Sequence, residues 1–183
     1  KKIRIIDGKV RKGFPAVFKS LVKLNTSDAF VLLNDDILIR DPYFLAKLVA
    51  PIKKKLNVGL VSGNPQPLSP KNFIESAGIS AFRAYERVRY QYRKGQNKYT
   101  CDGKAILLTK KFISVLRFPD EDKKMGNVDS FLYFTCFNKG LTYVHVRSAK
   151  VYFAFPSTIS DYVQWTLRNN KNKYILRELF GDL

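Results

Sequence analysis

The stretch Ala29-Phe-Val-Leu-Leu-Asn-Asp-Asp-Ile-Leu-Ile-Arg-Asp-Pro-Tyr-Phe-Leu45 carries the strongest fold signal in the sequence. Ala29 to Leu33 is a short, wholly apolar run, which is typical of a buried strand in a parallel sheet. The run ends at Asn34-Asp35-Asp36, and Asp41-Pro42 then offers a helix N-cap followed by proline at the first helical position. The stretch therefore predicts a strand, an acidic corner and a helix, in that order.

The acidic corner, residues 34–36, has two interpretations. In open α/β sheets ligands bind beyond the carboxyl ends of the strands, which is where Asp35 and Asp36 lie. Two adjacent carboxylates repel each other by on the order of 1 kcal/mol unless a cation joins them. Such hard oxygen ligands suit magnesium or manganese, often shared with a phosphate. The alternative is a solvated turn closed by a side-chain hydrogen bond to the backbone.

Outside this unit the chain alternates strand and helix patterns. Apolar or alternating runs predict strands over residues 3–6, 58–61, 105–108, 141–146 and 149–155, with Ser62-Gly63-Asn64-Pro65 ending the second of these. Helical spacing is found over residues 16–24, 73–94, 110–116 and 131–137, and again around Trp165. This alternation predicts an α/β fold with a mainly parallel, mixed sheet flanked by helices.

The composition predicts one globular domain with an anionic partner. A chain of 183 residues fits a single domain, residues 1–183, with an amphipathic C-terminal tail over residues 174–183. The 33 Lys and Arg against 15 Asp and Glu give a net charge of +18, which favours nucleic acid, an acidic membrane surface or phosphorylated substrates. Cys101 and Cys136 are far apart and lack metal-like spacing, so they predict reduced thiols in a cytoplasmic protein.

Two features have a functional and a structural interpretation. Residues 83–94 interleave aromatic side chains with Arg and Lys. This pattern fits a helix with one buried and one solvated face, and the same residues can stack on single-stranded nucleic acid or lie on anionic lipid headgroups. A helix with one buried and one solvated face is the favoured interpretation.

His145 alternates with valines, and a lone histidine in a strand is more often structural than a ligand.

In their order and spacing these motifs resemble the GT-A nucleotide-sugar glycosyltransferases, in particular the large inverting family 2. The similar features run from about Lys12 to Lys173. They are the segments 11–18, 31–37, 41–45, 58–63 and 102–113, Val128-Asp129, the segment 140–144, and the helix from Gln164 to Arg168.

On the donor side, the resemblance implies a divalent-metal site for a nucleotide sugar. Asn34-Asp35-Asp36 stands where the family has its Asp-x-Asp signature. Asp36 would then contact the Mn²⁺ or Mg²⁺ ion that bridges the diphosphate of a UDP- or GDP-sugar, and position 34 would face the sugar nucleotide. Lys12 in the basic loop would also belong to the donor site. The same holds for the helix that carries Gln164 and Arg168 and is similar to the family's Gln-x-x-Arg-Trp helix.

On the acceptor side, the resemblance implies a general base and an acceptor loop. Asp129 falls where the family places the base that deprotonates the acceptor hydroxyl. Asp102 and Gly103 lie in the strand-edge loop beside the acceptor. An alternative role for Asp129 is that of N-cap of the apolar helix that follows it, worth about 1 kcal/mol.

The sequence departs from the family pattern in three places. Asn34 replaces the first aspartate of the signature, which leaves one charge fewer to hold metal. One extra residue separates Gln164 from Arg168, and no tryptophan follows the arginine. There is also little room before Lys12 for the family's first strands, so we expect either a reduced version of the fold or an absent N-terminal part.

The resemblance therefore predicts a metal-dependent, inverting glycosyltransferase that uses a saccharide, lipid-linked or protein acceptor. Its basic surface would rest on an anionic membrane, with no sequence-specific nucleic acid as a partner. Two other functions compete with this prediction. One is a non-catalytic, basic nucleic-acid-binding module, which the acidic corner disfavours because carboxylates repel phosphate. The other is a metal-dependent phosphoryl-transfer domain, whose phosphatase form needs a second aspartate that Asp36-Ile-Leu does not supply.

Overall fold

The structure, a computed structural model, describes residues 13–120, 125 and 127–181, without the side chains of residues 168–173. The strand predicted over residues 3–6 and the site residue Lys12 lie outside this range. The described strands are β1 (Ala29–Leu33), β2 (Ile37–Leu38), β3 (Val58–Pro67), β4 (Ala105–Thr109) and β5 (Thr142–Phe153). They form one sheet in the order β1-β4-β3-β5-β2.

The prediction of a mixed sheet is confirmed, but the expectation that it is mainly parallel is wrong for the described strands. Only β3 and β5 pair in parallel, whereas β1 with β4, β3 with β4 and β2 with β5 are antiparallel. The apolar runs of β1 and β4 indicate strands covered on both faces. Burial on both faces does not determine the direction of a neighbour, because helices cover antiparallel strands here as well.

Helices cover both faces of the sheet. They are α1 (Phe14–Leu24), α2 (Phe44–Lys54), α3 (Phe73–Gln91), α4 (Lys110–Val115), α5 (Val128–Asn138) and α6 (Ile159–Phe180). Successive strand residues point to opposite faces, so Leu60 packs in the cluster of α1 and α5 while Val61 packs in the cluster of α2. This alternation explains why the central strands read as continuous apolar runs.

Two strand boundaries differ from the prediction. β3 continues through residues 62–67, although Ser62-Gly63-Asn64-Pro65 predicts a break. The polar side chains of this stretch find distant partners: Ser62 Oγ donates to the Thr100 carbonyl at 3.0 Å, and Asn64 Nδ2 donates to the Arg147 carbonyl at 2.9 Å. The strands predicted over 141–146 and 149–155 form a single strand, β5, with a register shift in its middle.

The C-terminal helix is continuous across the polar stretch at residues 169–173. Residues 174–180, predicted as an amphipathic tail, form its last turns. Leu176 is buried there, and the Phe180 ring lies 5.9 Å from the Phe131 ring and 5.4 Å from the Phe134 ring. The end of α6 therefore packs on α5.

The residues that helix α3 buries differ from those that its apolar spacing predicts. Phe73 and Val88, which the spacing predicts as core residues, are exposed, whereas Arg89 is buried. The Arg89 guanidinium lies 3.3 Å from Glu86 and within 4.9 Å of the Phe82 ring centre. A buried cation is tolerated in this position because a carboxylate and aromatic faces surround it.

Candidate active site

The acidic corner is a turn that joins two strands with different neighbours. Asn34, Asp35 and Asp36 connect β1, which pairs with β4, to β2, which pairs with the end of β5. Asp35 and Asp36 are exposed, and Asn34 is half-buried. The Asn34 amide donates to the Lys104 carbonyl at 3.1 Å. This hydrogen bond fixes the corner against the loop that precedes β4.

That loop, residues 101–104, rests on a buried polar support. Asn97 and Thr100 are both fully buried. Asn97 caps a 3₁₀ turn at residues 98–100 by accepting a hydrogen bond from the Tyr99 amide at 3.0 Å, and Thr100 Oγ1 donates to the Gly95 carbonyl at 2.6 Å. These buried bonds hold the chain that leads into Asp102, so the loop has a defined position relative to the sheet.

Asp129 lies in the first turn of α5 and contacts this loop. Its Oδ2 accepts a hydrogen bond from the Gly103 amide at 3.2 Å, and its Oδ1 accepts one from the Ser130 amide at 2.7 Å. Asn127 occupies the N-cap position, so the alternative prediction that Asp129 is the N-cap is wrong. The structure thus brings Asp129, Gly103 and Asp102 together.

The environment of Asp129 favours its neutral form. Removal from water raises the pKa of the carboxyl to about 6, and the negative charge of Asp102 adds to the rise. The two backbone hydrogen bonds and the charge of Lys104 act in the opposite direction. A carboxyl with this pKa can accept and release a proton near neutral pH, which is what a general base needs.

Lys104 lies between the acidic corner and Asp102, and it contacts both. Its amide donates to Asp102 Oδ1 at 2.9 Å, and its Nζ lies 3.5 Å from the same oxygen. Its Nζ also lies 4.3 Å from the centre of the Phe153 ring, and Phe153 pairs with Ile37, the residue after Asp36. Sequence reasoning missed Lys104 as a site residue, although its position directly after Asp102-Gly103 was a signal.

Tyr85 on α3 is a second side chain that sequence reasoning did not assign to this region. Removal of its phenol from water raises its pKa to about 12, and the charges of Asp102 and Asp129 contribute to the rise. The hydroxyl therefore stays protonated at neutral pH and can donate a hydrogen bond. No local sequence signal distinguishes it from the other tyrosines of the helix.

The chemistry of the acidic corner fits a divalent cation that a substrate phosphate helps to hold. Across the described residues, no group of three or more His, Cys, Asp or Glu side chains is placed to hold a metal by itself. One exposed turn offers hard oxygen ligands, namely the carboxylates of Asp35 and Asp36 and the side-chain oxygen of Asn34. Magnesium is commonly bound by one or two carboxylates together with substrate phosphates, so a complete protein cage is not required.

The remaining predicted donor-side residues are Gln164, Arg168 and Lys12. Gln164 is exposed on α6 and forms no hydrogen bond or ion pair with the residues that the structure describes. Arg168 lies in the same helix, with its side chain outside the described part, and Lys12 lies outside the described residues altogether.

His145 belongs to a buried hydrogen-bonded network. Its Nδ1 lies 3.1 Å from Ser62 Oγ, and its Nε2 lies 3.3 Å from the Tyr90 hydroxyl. Burial, followed by the charges of Arg89 and Arg147, lowers its pKa to about 4. A neutral, hydrogen-bonded histidine in the sheet agrees with the structural interpretation of this residue.

Solved structures match the chain, whereas no protein-family model and no curated protein does. The chain is similar to glucosyl-3-phosphoglycerate synthase from Mycobacterium tuberculosis in complex with Mn²⁺, UDP-Glc and glycerol 3-phosphate. The TM-score is 0.59 at 16% identity, over 96% of this chain and 58% of that chain. It is also similar to a mannosyltransferase from Pyrobaculum calidifontis in complex with GDP-Man and Mn²⁺. Here the TM-score is 0.69 at 16% identity, over 97% of this chain and 46% of that chain.

These matches establish the fold. The described sheet and helices form a GT-A nucleotide-sugar glycosyltransferase fold, as the order of the sequence motifs predicts. The chain spans about half the length of the solved structures it matches, with 58% and 46% of them covered. None of the helices in the described residues combines the length and hydrophobicity that a bilayer-spanning segment requires.

Proposed function

We propose that this chain carries the metal-binding and acceptor-activating part of an inverting glycosyltransferase, which moves a sugar from a nucleotide-diphosphate sugar to an acceptor hydroxyl. One observation carries the proposal. Asp129, a carboxylate with a pKa of about 6, accepts a hydrogen bond from the Gly103 amide. The next residue of that loop, Lys104, accepts a hydrogen bond from Asn34 of the acidic corner. This hydrogen bonding supports a proton acceptor and a set of cation ligands on neighbouring segments.

The donor would bind at the acidic corner. Asp36 would be the principal protein ligand of Mn²⁺ or Mg²⁺, with Asp35 and Asn34 beside it. A bound divalent cation supplies positive charge that stabilises the departing nucleoside diphosphate. Both named neighbours support this donor class, since one was solved with UDP-Glc and the other with GDP-Man, each together with Mn²⁺. Lys12, Gln164 and Arg168 complete the proposed donor side.

The acceptor would bind at the loop of Asp102 and Gly103. Asp129 would take the proton from the acceptor hydroxyl while that oxygen attacks the anomeric carbon from the face opposite the leaving group, which inverts the configuration. The Gly103 amide orients the carboxylate, and Asp102 keeps its proton affinity high. The acceptor would be a saccharide, a lipid-linked molecule or a protein.

The charge of the chain supports a proposal about where the reaction takes place. A net charge of +18 supports a protein that works in the cytoplasm against an anionic membrane surface, without sequence-specific contacts to nucleic acid. Glycerol 3-phosphate in the synthase complex supports small phosphorylated acceptors as a further class to test.

The test is metal-dependent binding of nucleoside diphosphates, followed by a panel of nucleotide sugars. We expect UDP or GDP to bind in the presence of Mn²⁺, and Asp36→Ala to weaken this binding by about tenfold or more while the fold is retained. Asp28→Ala is the matched control, because Asp28 is an exposed carboxylate at the other end of β1. Equal binding by the two variants would show that the corner does not hold the metal.

The panel separates the competing functions by their products. Glycosyl transfer releases a nucleoside diphosphate from the nucleotide sugar. A phosphoryl-transfer domain would instead release inorganic phosphate from a phosphate ester, and a nucleic-acid-binding module would release neither and would bind oligonucleotides. Release of phosphate, or oligonucleotide binding without metal-dependent nucleotide binding, would replace the proposed function.

A further inference from the structure

Two open cavities adjoin each other outside the candidate active site. The first has a volume of about 570 Å³ and the second of about 530 Å³. Arg147 and Lys150 of β5 line both of them. None of the predicted site residues whose side chains the structure describes lines either cavity. Together the two cavities form one groove, the β5 groove.

A strand irregularity creates the groove. Ser62 pairs with His145, and Asn64 pairs with Lys150, so β5 advances by five residues while β3 advances by two. Extra residues in one strand bend it and re-aim its side chains. Here the irregularity leaves Arg147 and Ser148 exposed, between α2 on one side and α3 on the other.

The second wall is one face of α3. Residues 83, 86, 87 and 90 recur at the spacing that puts side chains on the same side of a helix. Tyr85, whose pKa the charges of Asp102 and Asp129 help to raise, does not line the groove.

The groove has an excess of positive charge that its own acids do not neutralise. Its two acids are engaged: Asp41 Oδ2 lies 2.6 Å from Lys47 Nζ, and Glu86 Oε1 lies 3.3 Å from the buried Arg89. Five cations of the groove form no ion pair with any acid that the structure describes. They are Arg40, Arg83, Arg87, Arg147 and Lys150.

Two arginines of the groove are held in place by aromatic rings. The Arg147 guanidinium lies 4.4 Å from the centre of the Tyr90 ring, and the Tyr90 hydroxyl donates to Asn64 Oδ1 at 2.7 Å. The Arg40 guanidinium lies 4.7 Å from the centre of the Tyr152 ring. Stacking leaves the N–H edge of a guanidinium available for two oxygen atoms, which is the geometry that phosphate recognition uses.

We propose that the β5 groove is a phosphate-binding site, in which Arg147 and Lys150 hold a phosphate ester and Arg83, Arg87 and Arg40 flank it. The ester is carried either by a soluble molecule or by the headgroup of an anionic phospholipid, because both present the same phosphate oxygens. The site uses none of the residues assigned to the sugar donor and needs no divalent metal. It therefore stands or falls independently of the proposed glycosyl transfer.

The experiment measures phosphate binding by the whole chain in the presence of a metal chelator, which prevents a metal-bridged diphosphate at the acidic corner. One arm titrates inorganic pyrophosphate, and the other measures co-sedimentation with phosphatidylglycerol–phosphatidylcholine vesicles. The test variant is Arg147→Gln with Lys150→Gln. Its matched control is Lys53→Gln with Lys54→Gln, which removes the same charge from exposed lysines at the end of α2, outside the groove.

We expect the groove variant to weaken binding by about tenfold or more in at least one arm, and the control to change it by less than about twofold. A response to pyrophosphate identifies soluble phosphates as ligands, and a response to vesicles alone identifies the lipid headgroup. Arg147→Lys keeps the charge but loses the planar fork, so it should also weaken binding. If the groove and control variants bind alike in both arms, the affinity comes from diffuse charge and the proposal is wrong.

Discussion

The two acidic clusters of this protein contain the same residue type in opposite environments. Asp35 and Asp36 lie in an exposed turn, where water can solvate both charges. Asp129 lies in the first turn of α5, where desolvation and the neighbouring Asp102 raise its pKa to about 6. Lys104 joins the two clusters. Its carbonyl accepts a hydrogen bond from the Asn34 amide, and its Nζ forms an ion pair with Asp102.

The difference assigns different chemistry to each cluster. A solvated pair of carboxylates can share a hard cation, because it loses little hydration when a metal and a phosphate replace water. A desolvated carboxylate that prefers a proton is suited to proton transfer. Environment therefore separates the two candidate roles, since the side-chain type is identical.

The largest expected effect comes from Asp129→Asn. If Asp129 is the base, turnover on a proven acceptor should fall by roughly a hundredfold or more, with metal-dependent donor binding unchanged. Asparagine retains one oxygen acceptor for the backbone amides, so the fold should persist. The measurement is turnover together with nucleoside diphosphate affinity.

Asp161→Asn is the control for a carboxylate in a first helical turn. Asp161 lies in the first turn of α6, where its amide donates to Thr158 Oγ1 at 3.1 Å. This variant should leave turnover unchanged. Comparable turnover of Asp129→Asn and the parent would contradict the base assignment and would direct the search to Asp102.

The second prediction concerns stability as a function of pH. Because the folded-state pKa of Asp129 is about 6 and its usual value is 3.8, neutral Asp129 favours folding below about pH 4 and this contribution is lost as the pH rises through about 6. Asparagine does not titrate. The free energy of unfolding of Asp129→Asn relative to the parent should therefore increase by about 1 kcal/mol between about pH 5 and pH 7.5.

Asp41→Asn is the contrasting variant, because the pKa of Asp41 is shifted in the opposite direction from that of Asp129. A hydrogen bond from Lys47 lowers the pKa of Asp41 below its usual 3.8, so the carboxylate stays ionised over the same pH range. Its stability difference from the parent should be constant between those two pH values, as measured by urea unfolding. A constant difference for Asp129→Asn as well would show that its carboxyl is not desolvated in the folded protein.

The sequence predicted the local units of the fold well and their assembly less well. The run Ala29 to Leu33 and the run from Ala105 are strands at the predicted positions, because an apolar run between turn residues specifies burial locally. The antiparallel pairing of these two strands depends on contacts between segments more than seventy residues apart. A local apolar pattern does not encode that direction.

Polar residues with distant partners caused the main errors. Ser62 and Asn64 look like strand breakers, yet β5 and the loop before β4 satisfy their hydrogen bonds. Arg89 looks like a solvated residue, yet Glu86 and the Phe82 ring allow its burial. The same reason explains why Lys104 was missed, since its role follows from where Asn34 and Phe153 lie in the fold.

The smallest expected effect tests whether the two clusters are electrostatically coupled through Lys104. The positive charge of Lys104 lowers the pKa of Asp129 and so opposes desolvation. Turnover by an ionised base should fall as the pH drops through about 6. Lys104→Gln removes the charge, so the acid limb of the pH–rate profile should move to higher pH by less than about one pH unit.

Lys110→Gln is the control, because Lys110 Nζ lies 3.8 Å from the exposed Asp28. If Lys104→Gln does not move the acid limb, the charge of Lys104 does not influence the pKa of Asp129. The exposed and the desolvated carboxylates would then be neighbours without being coupled.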